Sequence, residues 1–133
     1  AINFTMRQRI LRALDDDELD LRRLGRVLAD FKHWKHNWSA ETRAEIEKQA
    51  EERVFRELKN DLNSLSKLDD SLELLRFLRE INVDPNYWKS QNLFIRSLQQ
   101  EPERMTLGAE TEVLHDVAKE LEVAVDVLLE TSM

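Results

Sequence analysis

A chain of 133 residues has the size of one domain and buries roughly two-thirds of its unfolded surface, so it needs no disulfide or structural metal to hold together. With 41% apolar and 35% charged residues it reads as globular, and the lack of cysteine excludes a disulfide framework, a thiolate nucleophile and a Cys-based zinc site. A net charge of −7 argues against nucleic acid as a partner, because the densest basic cluster (Arg22, Arg23, Arg26) lies beside Asp15, Asp16, Asp17, Glu18 and Asp20.

Two glycines and two prolines leave few places to stop a helix, and apolar spacing predicts an all-α, irregular bundle of six to seven helices. The first is predicted over 5–14, with Met6, Ile10, Leu11 and Leu14 on one stripe. The acidic run at 15–18 ends it, and Asp16 or Asp17 is expected to cap the second. There Leu21, Leu24, Leu28 and Phe31 step by three and four along one buried face.

Ser39 reads as the N-cap of a long third helix, in which Ile46, Ala50, Val54, Leu58, Leu62 and Leu65 recur without interruption. Its charged face carries Arg43–Glu47 and Glu52–Arg56 spacings that favour ion pairs. A fourth helix, capped by Asp69, Asp70 or Ser71, is apolar around most of its circumference and is expected at the centre. Asp84-Pro85 is expected to open a fifth that stops before Pro102. Gly108 separates it from a sixth carrying Val113, Leu114, Val117 and Leu121. The alternating valines from 123 to 127 lack a partner strand, so a short terminal helix is expected there.

No apolar run approaches the roughly 18–20 residues that span a bilayer, and A-I-N-F-T-M-R-Q-R is too charged for a signal-peptide core. The expectation is one helical domain over 1–133, cytoplasmic and without membrane contact. Ala1 either follows a removed initiator Met or marks a piece cut from a larger protein.

Chemistry-bearing patterns are sparse. Asp30, His33 and His36 step by three and can share a helical face as metal ligands do, but His115 is remote and no H-E-x-x-H spacing occurs. Surface histidines at a helix end are the preferred reading, so no metal is expected. No G-x-S-x-G elbow exists, and two glycines build no phosphate cradle. None of the 27 acids stands out on an apolar face. No enzyme activity, catalytic residue or cofactor is expected. Residues 113–129 have the apolar rhythm of a helix-turn-helix, but 125–130 offer nothing to base edges and read as packed helices.

Trp34 and Trp38 lie one helical turn apart, and Trp88 sits on another helix. Core packing is the preferred reading of all three, with contact to a partner or a sugar ring as the alternative if they prove exposed. In N-Y-W-K-S-Q-N-L-F (86–94), Gln91 and Asn92 share a face with Trp88 and Ile95. Those amides either bond the backbone ends of neighbouring helices, the preferred reading, or line a groove floored by Trp88.

Preceded by I-N-V-D-P (81–85) and a leucine-rich helix, W-K-S-Q-N-L-F (88–94) resembles the W-x-x-Q-N-hydrophobic-aromatic signature of a helical C-terminal domain in proteins related to glycoside hydrolase family 57. The specific part covers about nine residues and the looser helical rhythm about half the chain. The resemblance implies a non-catalytic appendage to a polysaccharide-active enzyme. It carries over no catalytic residue, and Trp88, Gln91 and Asn92 match without an assigned role. The expected function is a non-catalytic accessory or interaction domain docking on another protein or domain. The alternative is an accessory region of a carbohydrate-active enzyme contacting glycan or the catalytic domain. Trp34, Trp38, Trp88, Gln91 and Asn92 are the candidate contacts.

Overall fold

The computed structural model describes residues 2–34, 37–63, 68–100 and 111–123. Among them are six α-helices and no strand: α1 (Ile2–Asp15), α2 (Leu21–Trp34), α3 (Ala40–Asn63), α4 (Leu68–Glu80), α5 (Trp88–Gln100) and α6 (Thr111–Glu120). The protein is all-α, an irregular bundle. No described helix is long and apolar enough to cross a membrane. Gly108, Pro102 and the expected terminal helix fall outside the described residues.

The core is shared between two helices rather than gathered around α4 alone. α4 packs on α2, α3 and α6, while the longer α3 packs on α1, α4 and α5. The apolar repeat explains this. Ile46, Ala50, Val54, Leu58 and Leu62 form a continuous buried row along α3, and Leu72, Leu74, Leu75, Phe77 and Leu78 bury α4 on more than one side. On α2, Leu24, Val27 and Phe31 are buried, but Leu21 and Leu28 are only half covered. Ion pairs then stitch neighbouring helices: Arg7–Glu45 (2.7 Å) joins α1 to α3, Arg9–Asp30 (2.6 Å) joins α1 to α2, Lys32–Glu80 (3.0 Å) joins α2 to α4, and Arg79–Glu120 (2.6 Å) joins α4 to α6.

Several helix starts differ from expectation, and the reasons are tertiary. α2 is capped by Asp20, whose Oδ1 accepts the Arg23 N–H (3.2 Å), while Asp16 instead holds the Arg23 guanidinium (2.5 Å). Ser39 does cap α3, its Oγ accepting the Thr42 N–H (3.2 Å). α4 starts at Leu68, ahead of the expected caps, and Ser71 is buried and donates to Asp61 (2.6 Å). Pro85 does not open α5. The backbone N–H groups of Asp84 and Asn86 donate to Glu47 (2.6 Å) and Glu51 (2.9 Å) of α3, holding the connection extended until Trp88. Glu47 is thereby turned to Asp84 rather than Arg43, and no Glu52–Arg56 ion pair closes among the described residues.

α4 and α6 end alike. Asn82 (φ 63) and Glu122 (φ 61) are left-handed. The next residues, Val83 and Val123, bond back to Leu78 (3.3 Å) and Ala118 (2.8 Å), while Asn82 and Glu122 bond to Arg79 and Lys119 (3.1 Å each). Both ends are Schellman motifs, with the following valine folded onto the core.

Candidate functional site

The three tryptophans divide between structure and surface. Trp38 is half-buried and stacks on Phe31 at 5.5 Å with an interplanar angle of 22°. Its indole N–H donates to the carbonyl of Ile81 (2.7 Å), so this ring ties the start of α3 to the end of α4. Trp34 and Trp88 overturn the core-packing preference, being 54% and 65% exposed. Trp34 ends α2, where its ring meets the edge of His33 at 5.2 Å. Asp30 is engaged by Arg9, which removes it from the ligand face drawn with His33; His36 lies outside the described residues.

Trp88 emerges at the first residue of α5 for a traceable reason. Glu51 fixes the Asn86 N–H, and the Asn86 Oδ1 in turn accepts the Trp88 N–H (3.0 Å). These bonds set where α5 begins and leave its first side chain facing water. A groove of about 370 Å³ results, lined from α3 by Lys48, Glu51, Glu52 and Phe55 and from the α5 start by Asn86, Trp88 and Lys89. The Lys89 ammonium lies 5.9 Å from the centre of the Phe55 ring, within cation–π range. Its volume is at the small end of ligand pockets, about 300–1,000 Å³.

Gln91 and Asn92 do not act together. The Gln91 side-chain amide donates to the carbonyl of Leu121 (2.6 Å), a backbone group at the end of α6, as the preferred reading expected of these amides. Asn92 is exposed, one turn beyond Trp88 on the same face. Sequence reasoning missed Phe55, Lys48, Glu52 and Lys89. Phe55 carried a signal, since it stands one residue off the α3 apolar row as a bulky aromatic that the row does not require.

The titratable groups with shifted protonation lie elsewhere. Burial pushes the Asp61 carboxyl up to about 6, with the Ser71 hydrogen bond opposing and Glu57 and Asp70 adding to the rise. Burial, then nearby Asp84 and Glu120, raises the Tyr87 phenol. Burial lowers Arg53, whose Nη1 donates to the Asp16 carbonyl and whose Nε has no hydrogen-bond partner among the described residues. None of these groups lines the Trp88 groove. The groove offers an aromatic floor, two ammonium groups and hydrogen-bonding rims, which is equipment for binding. No family model, no curated protein and no solved structure matches the chain.

Proposed function

We propose that this protein is a non-catalytic helical interaction domain that docks on another protein or domain through the Trp88 groove. The observation that carries the reading is a tryptophan 65% exposed beside Phe55, held by bonds through Asn86 to α3. A large aromatic in water gives up burial free energy unless something covers it, and tryptophan is among the residues that dominate binding hot spots. The lack of cysteine fits work in a reducing, cytoplasmic compartment.

A photo-crosslinking amino acid at the exposed position 92 tests this in the cell. The expected result is one adduct of defined mass that disappears when Trp88→Ala is added. An adduct unchanged by Trp88→Ala removes the groove from the account. A second reading rests on the amides of Asn86 and exposed Asn92 around the Trp88 face, a setting in which a sugar ring can stack. It agrees with the resemblance to an appendage of a carbohydrate-active enzyme. Oligosaccharides that shift tryptophan fluorescence in the wild type but not in Trp88→Ala would favour it, and no shift at millimolar sugar would remove it.

A further inference from the structure

We infer that the corner between α3 and α4 is a proton-operated latch: with Asp61 protonated the first turn of α4 is held on α3 through Ser71, and loss of that proton frees the turn while the rest of the bundle stays folded. The placement of the pair carries this. Asp61 lies in the last turn of α3 and Ser71 in the first turn of α4, on either side of residues 64–67. The Ser71 hydroxyl donates to Asp61 Oδ2 at 2.6 Å, and its backbone N–H bonds the same carboxyl. Both residues are only 3% exposed, so an ionised Asp61 has Ser71 in place of a water shell. The charged groups acting on it are acids on both helices, Glu57 of α3 and Asp70 of α4. Among the described residues α1 and α5, which also pack on α3, close no ion pair with it. None of these groups lines the Trp88 groove, so the latch is independent of docking there.

The opening is local because α4 is fastened unevenly. At its far end the Trp38 indole holds the Ile81 carbonyl (2.7 Å), Lys32 pairs with Glu80 (3.0 Å) and Arg79 with Glu120 (2.6 Å). Its first turn is tied through Ser71 and Asp61 and by the burial of Leu68 and Leu72. The first four N–H groups of a helix also lack partners within it, so this turn is the least costly part of α4 to release. Burial outweighs the Ser71 bonds and pushes the Asp61 carboxyl up to about 6 from its ordinary 3.8, so the closed corner binds the proton more tightly than an opened, hydrated one. The latch is therefore fully shut below about pH 4 and loosens as pH rises through about 6.

Native-state amide hydrogen exchange on the full ¹⁵N-labelled chain tests the inference, with rates corrected for intrinsic chemistry at each pH. The amides of Leu72 and Glu73, the first that bond within α4, are expected to exchange faster than those of Phe77 and Leu78 at neutral pH. Their opening constant should rise on the order of fiftyfold between about pH 4 and about pH 7. Asp61→Asn keeps the acceptor without the charge and should hold the turn closed across that range. Ser71→Ala should open the same amides further while leaving the pH dependence in place. If Leu72 and Glu73 exchange no faster than Phe77 and Leu78, the corner opens only with the whole molecule and the latch is overturned. A pH-dependent rise that survives Asp61→Asn, or exchange at Leu72 unchanged by Ser71→Ala, overturns it equally.

Discussion

Asp61 shows how a single carboxyl can set a pH dependence far from any binding surface. It is 3% exposed, accepts the Ser71 hydroxyl, and has no cation partner among the described residues. Its folded-state value of about 6 lies above the 3.8 of an unperturbed carboxyl, so the native state binds the proton more tightly than the unfolded chain does. Stability is therefore greatest below about pH 4, falls as pH rises to about 6, and is flat beyond that for this group. The penalty at neutral pH is on the order of 2 kcal/mol. Asp61→Asn should raise stability at neutral pH by a similar amount and flatten the slope in that window. Urea unfolding across pH checks it, and a less stable Asn variant at neutral pH would refute the assignment. The tryptophans give a second residue-scale prediction. Trp38→Ala should cost about 2–4 kcal/mol, since it deletes a stacked ring and orphans the Ile81 carbonyl. Trp34→Ala and Trp88→Ala should stay within about 0.5 kcal/mol, as exposed positions do. Thermal melts of the three variants decide whether the rings divide in this way.

At the level of helices, the apolar rhythm was readable, as were the end of α1 at the acidic run and the Ser39 cap of α3, while the starts of α2, α4 and α5 were not. Ile46 to Leu62 repeat with helical spacing, and nothing in the fold competes with that row. The start of α5 was misplaced because Glu47 and Glu51, some 35 residues earlier, take the N–H groups of Asp84 and Asn86. Local spacing cannot announce such a bond. Glycine is also placed unevenly. Gly25 sits exposed inside α2, where an added Cβ would meet nothing within 4 Å, so Gly25→Ala should stabilise by about 0.5–1 kcal/mol. Glu122 instead occupies a left-handed position at the end of α6 that favours glycine. Glu122→Gly should stabilise by about 1 kcal/mol through relief of the Cβ clash. Denaturant midpoints of both variants should rise. A fall for Gly25→Ala would mean that α2 is less regular in solution than its backbone indicates, and a fall for Glu122→Gly would mean that its side chain contributes more than the strain it carries.

For the whole molecule, the fold class was legible from composition and periodicity, while only part of the candidate site was. Trp88 and Asn92 could be named because an aromatic and an amide stood out in 86–94. Lys48 could not, and Phe55 offered only its place off the α3 row, since both join Trp88 only when α3 and α5 pack side by side. Trp38 and Gln91 looked equivalent to them in sequence yet are committed to the backbone at Ile81 and Leu121. Under the proposed docking function the labour divides, with Trp38 serving the fold and Trp88 serving the partner. One paired measurement on Trp88→Ala tests it most directly, recording the melting temperature and the yield of the position-92 adduct on the same preparation. The account predicts an unchanged melt with the adduct lost. A lowered melting temperature with the adduct retained would contradict it.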